Sequence, residues 1–147
     1  MSVLFNKTHL NRGVDLFNRA HFFDAHEVLE DVWRSIPRDG PRVRPSRGHL
    51  RLHLQGLVQL AVAFHHASTD NLVGARSVLE RAMRNLNGAD SSFPDLDLDR
   101  LRSELAPWRR YLDDSNSAHH ARDDAPDYVR DVSRRTAPAL PKISLRS

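Results

Sequence analysis

From Leu54 to Phe64 the chain is apolar almost all the way round a helical turn, and a segment of that kind has to lie inside something. It is too short to cross a membrane, which takes about 20 apolar residues, so it reads as the central helix of a bundle, spanning about Ser46 to Ala67. One narrow strip breaks the pattern. With Leu54 as origin and about 100° per residue, Gln55 falls at about 100°, His66 at about 120° and Gln59 at about 140°. Three hydrogen-bonding side chains therefore share one seam of an otherwise oily helix. Gly56, Ala61 and Ala63 would let neighbouring helices approach closely.

The stretch Phe22-Phe23-Asp24-Ala25-His26-Glu27-Val28-Leu29-Glu30-Asp31-Val32-Trp33 makes a second helix with an unusual polar residue. Around the axis from Phe22, Trp33 lies at about 20°, His26 at about 40° and Glu30 at about 80°, with Glu27 further round towards solvent. A ring inside an apolar arc needs a partner, since an unpaired buried polar group costs roughly 1–3 kcal/mol. A first helix is predicted over about Thr8 to Arg19, with Thr8 as its cap and Leu10, Val14 and Phe17 on one face. Pro37 to Pro45 reads as a loop. A fourth helix follows the polar link Ser68 to Asn71 and stops at Asn87-Gly88. A fifth begins at Asp97 on Leu98, Leu101, Leu105, Trp108 and Leu112, with a kink or restart expected at Pro107.

The fold class is thus all-α: about five helices in antiparallel hairpins forming a bundle over 1–113, with an irregular C-terminal tail over 114–147. A short helix is allowed around Asp127 to Val132, while Pro138 to Leu145 is apolar enough to lie extended over the bundle. The two hairpins are not similar enough to be read as repeats. There are no cysteines, which excludes disulfides and thiolate metal sites. The N-terminus lacks a secretory pattern, so the expectation is a cytoplasmic protein without a membrane partner.

The inward-aimed polar residues of two helices define the candidate site: His26, Glu27, Glu30 and Trp33 on one, Gln55, Gln59 and His66 on the other, with Asn71 joining from one end. One reading is a hydrogen-bonded seam that fixes helix register in a non-catalytic module, which would recognise a peptide, protein or small molecule in a groove between hairpins. The other is a divalent-metal hydrolase, with His26, Glu30 and His66 as ligands and Glu27 as general base. His-Glu-x-x-Glu is not the His-Glu-x-x-His of zincins, and the carboxylate count of a di-iron centre is not met. A weaker reading is nucleic-acid binding through Arg42, Arg44, Arg47 and Arg51. It follows from the net charge of +3, but no exposed aromatics are interleaved with the arginines. His65 falls on the opposite face from His66, and His53 is near neither. A homo-oligomer stays open.

The run Phe17-Asn18 through Trp33, and Leu54-Gln55-Gly56-Leu57-Val58-Gln59 through His66 followed by Asn71 and Gly74-Ala75, resemble the signature of the bacterial domain-of-unknown-function family 309. So does the ending Leu140-Pro141-Lys142-Ile143-Ser144-Leu145. The resemblance implies a small, all-helical, cytosolic protein. Its signature residues are those of the polar seam, and it supplies no catalytic assignment.

Overall fold

Two short links decide how this chain folds back on itself. In the computed structural model, which describes residues 5–36, 45–121 and 136–146 (side chains of 45–48 and 117–121 excepted), α1 runs Lys7–Asn18 and α2 Phe22–Ser35. Between them Ala20 takes a left-handed φ of 64°. The Ala20 amide then reaches the Phe17 carbonyl at 2.9 Å, and that of His21 reaches Leu16 at 2.9 Å. This pair of bonds is the Schellman ending, which satisfies carbonyls that a helix C-terminus leaves open. The same device closes α3, Pro45–Ser68, ahead of α4, Leu72–Asn85. There Asp70 has φ 61°, its amide bonds Ala67, and Asn71 bonds His66 at 2.9 Å.

Ala20 and Asp70 stand fifty positions apart, and the same offset pairs Ala25 with Ala75 and Leu29 with Leu79, all four at most 1% exposed. The hairpins, too dissimilar in sequence to be read as repeats, are thus equivalent in their turn geometry and core register. Their difference lies in α3, which starts three turns earlier than the equivalent position of α1.

Packing follows chain order: α1 against α2, α2 against α3, α3 against α4, α4 against α5 (Leu98–Ala121). Phe64 ties alternate helices together. Its ring meets Phe17 of α1 edge-on at 6.0 Å and Trp108 of α5 edge-on at 5.0 Å, with Phe22 of α2 at 5.6 Å. Leu54, Leu57, Leu60 and Ala61 beside it are completely buried, as the apolar run from Leu54 to Phe64 predicts. The fold is all-α, and no described helix is long and apolar enough to cross a membrane.

Several local expectations need correction. Asn6, not Thr8, caps α1, accepting from the His9 amide at 3.1 Å. The helix α5 neither restarts at Pro107 nor ends at Asp113 but continues to Ala121. Proline removes one N–H, and the carbonyl it leaves open belongs to Ser103, an exposed residue that water can serve. Gly88, with φ 77°, ends the α4 region, and a 3₁₀ turn over Ala89–Ser91 follows. The tail does lie extended on the bundle over 136–146. Ile143 is buried, its N–H and C=O both bonded to the Asn18 side chain at 2.7 and 2.9 Å. The Trp108 indole donates to Ala139 at 2.9 Å, and Leu145 bridges Leu96. The helix expected around Asp127 to Val132 lies outside the described residues.

Candidate functional site

On α2, residues four apart share a face, and His26, Glu30 and Arg34 make a ladder along it. His26 Nε2 lies 2.9 Å from one Glu30 oxygen, and Arg34 donates to the other. Both carboxylate oxygens are therefore engaged by the same helix. His26 and Glu30 are 27% and 28% exposed in their side chains, so the imidazole sits at the rim of the core rather than within it. Glu27 is exposed.

The strip on α3 is where the helical wheel places it, but its residues take different partners. Gln59 accepts from Asn85 of α4 at 2.7 Å. His66 faces Asn71, whose carbonyl oxygen accepts from the Gly74 amide at 3.0 Å as the cap of α4. Asn71 therefore presents its amide nitrogen to His66 Nδ1 at 3.2 Å, and a nitrogen that only donates requires the ring to accept. Gln55 is half-buried on the same strip.

The single patch expected from the sequence is thus divided into an α2 ladder, an α3–α4 amide pair and a His66–Asn71 link. The physical reason is which flanks of α3 are covered. Arg51 and His65, at about 60° and 20° on the wheel, meet α2. Gly56, at about 200°, meets α4, where an added Cβ would stand 2.9 Å from Leu86 Cγ. The strip at about 100–140° lies between the two neighbours as a partly exposed ridge. The proposed trio His26, Glu30 and His66 does not assemble: among the described residues, no three His, Asp or Glu side chains group so as to hold a metal.

His65, set aside by sequence reasoning, is the α3 imidazole that reaches the α2 face. Phe23, 51% exposed, packs on His65 at 5.4 Å and on His26 at 6.0 Å between centroids. The signal was available in the wheel, because His65 shares the Arg51 side of α3. Trp33 is half-buried beneath the Arg51 guanidinium, 4.5 Å from its centroid, and its indole nitrogen is buried without a hydrogen-bond partner among the described residues. Arg51 also donates to the Ile36 carbonyl at 2.6 Å, capping the α2 C-terminus. Of the arginines considered for nucleic acid, Arg51 is thus half-buried with its guanidinium engaged at the end of α2. Arg42, Arg44 and the Arg47 side chain lie outside the described residues.

A second polar locus was also missed. His53 is buried, with Nδ1 2.6 Å from Ser92 Oγ and its ring stacked on His49. Burial, then the charges of His49 and Arg102, push its pKa below the ordinary histidine value. Nearby, Arg102 binds Asp90 at 2.7 Å and the Leu86 carbonyl at 2.8 Å. Its hydrogen bond holds the Asp90 carboxyl below the usual range.

Two curated proteins are similar to this chain. The Uncharacterized protein YpuF of Bacillus subtilis (strain 168) is 28% identical over 99 residues, covering 67% of this chain and 52% of that protein. An Uncharacterized protein of Aquifex aeolicus (strain VF5) is 24% identical over 89 residues, 60% of this chain and 24% of that one. The chain thus spans about half of the first relative and a quarter of the second. No solved structure matches it significantly. Residues 10–78, which carry His26, Glu30, Gln59 and every other site residue predicted from the sequence, match the family described as Domain of unknown function (DUF309), the family that the sequence resembles.

Proposed function

We propose that this domain is a non-catalytic binding module that recognises a peptide segment of a partner protein along the outer face of α2 and its border with α3. The observation that carries this reading is Phe23. A large aromatic held half in solvent between two imidazoles, within the block of family resemblance, has the character of an interface anchor rather than a core residue. Asp24, Glu27 and Asp31 lie exposed on the same helix at i, i+3 and i+7, beside that anchor. The complementary partner carries an apolar anchor flanked by Lys or Arg. The His26–Glu30–Arg34 ladder then holds the rim of the surface rather than reacting. A domain that recurs within relatives of different total length suits such a module.

The test is cross-linking of the full chain from position 27 in cell extract, with Phe23→Ser and Asp24→Asn/Asp31→Asn variants alongside. Loss of the same cross-linked partner in both variants, with unchanged melting temperatures, is the expected outcome. A partner retained equally by both would defeat the reading. Metal-dependent hydrolysis is the competing chemistry. It requires a melting temperature that rises with added Zn or Mn and a third ligand beyond His26 and Glu30.

A further inference from the structure

Away from that face, residues of α4 and α5 line an open cleft of about 320 Å³, at the lower end of the size range for small-molecule sites. One wall is a stripe of α4, with Glu80, Met83 and Arg84 at i, i+3 and i+4, continued by Asn87 in the turn that follows. The other wall is α5, contributing Leu105 and Arg109. Met83 supplies apolar surface above the buried Leu105, and the polar groups stand around it.

The guanidinium groups differ in what they have left to give. Arg102, also at the cleft, is spent on Asp90, Asp99 and the Leu86 carbonyl. Arg109 uses Nε and one Nη on Glu80, at 2.7 and 3.1 Å, and its other terminal nitrogen makes no hydrogen bond among the described residues. Arg84 is exposed and pairs with no carboxylate among the described residues. Its equivalent fifty positions earlier, Arg34, is held by Glu30 through an i, i+4 pair. Arg84 has Glu80 at the same spacing, but Glu80 is drawn across to Arg109. An arginine released from its own helix and left at the mouth of a concave site is a ready anion receptor.

We infer that the α4–α5 cleft binds the phosphate group of a small organic phosphomonoester, with Arg84 and the free edge of Arg109 on the oxygens and Met83 under the organic portion. Guanidinium forks match phosphate oxygens two at a time. The second negative charge matters because Glu80 remains in place. A monocarboxylate would only compete with Glu80 for Arg109, whereas a dianion can hold Arg84 as well. This site is separate from the α2–α3 surface and does not depend on that reading.

The test is isothermal titration of the full chain at low ionic strength with phenyl phosphate, inorganic phosphate and benzoate, together with amide NMR shift mapping. Phenyl phosphate is expected to bind with a dissociation constant of about 1 mM or better and to shift the amides around Arg84 and Arg109. Inorganic phosphate should bind several-fold more weakly, benzoate barely, and all binding should weaken as salt screens the charges. Arg84→Gln should weaken phenyl phosphate by about tenfold, and Glu80→Gln, by freeing Arg109, should tighten it. The inference is overturned by any of three results. These are no saturable binding, an Arg84→Gln protein that binds as well as the parent with its fold intact, or inorganic phosphate binding as tightly as phenyl phosphate.

Discussion

Replacing Asn18 with alanine tests whether the extended C-terminal segment is part of the folded structure or an appendage lying on it. The Asn18 side chain both accepts from the Ile143 amide at 2.7 Å and donates to the Ile143 carbonyl at 2.9 Å, across 125 positions of sequence. Ile143 is only 1% exposed, so water cannot replace either bond without opening the segment. Two neutral hydrogen bonds are worth about 0.5–1.5 kcal/mol each, which places the loss at roughly 1–3 kcal/mol. If the segment instead peels away, the loss is limited to the free energy of that local opening. Urea denaturation gives the total, and hydrogen exchange separates the two routes. The Asp97 and Arg146 amides, bonded to Ser144 and Asp95, should lose protection together when the segment opens. Asn18→Asp keeps the acceptor and loses the donor, so it should fall between alanine and the parent or, through repulsion of the carbonyl, match alanine. An Asn18→Ala protein within about 0.5 kcal/mol of the parent, with both amides still protected, would refute the reasoning.

Ala20→Gly should stabilise the fold by about 0.5–1 kcal/mol, because left-handed φ costs alanine about 1–2 kcal/mol while glycine gives part of the gain back as unfolded-state entropy. Asp70→Gly should gain less, since aspartate tolerates that region better, and paired urea melts would reveal the order. Gly56→Ala should destabilise by about 1–3 kcal/mol, as read by thermal melting, because the new Cβ meets Leu86 Cγ at 2.9 Å and the Asn85 backbone at 3.2 Å. His53, whose pKa is lowered by burial and its cationic neighbours, binds its proton more readily in the unfolded chain. Its contribution is therefore neutral above about pH 6.5, and stability is lost as the pH falls below that value until the folded ring also titrates. His53→Gln should flatten this part of the pH–stability curve, measured as the difference from the parent.

The helices, their order and the apolar centre on α3 were legible because periodicity and caps are local properties. The seam was only half legible. A wheel says that Gln55, Gln59 and His66 share a strip, but not which neighbouring helix covers it. Once α2 settles against the Arg51 and His65 side and α4 against Gly56, the strip is left between them and its members find separate partners. Arg51 could not be told from a surface arginine, because its partners are carbonyls at the end of another helix. The matched hairpins were hidden for the opposite reason. They share backbone geometry and buried residues such as Ala25/Ala75 and Leu29/Leu79, whereas other positions differ: Asp24, Glu27 and Asp31 against Gly74, Ser77 and Arg81.

Because each helix packs against the one before it, the polypeptide can consolidate as it leaves the ribosome. The first pair needs only its own three-residue reversal, and α3 then finds a finished surface to dock on. The clasp between Asn18 and Ile143 must wait until residue 143 has been made, 125 positions after its partner. Synthesis itself therefore sets the order in which this molecule becomes sealed.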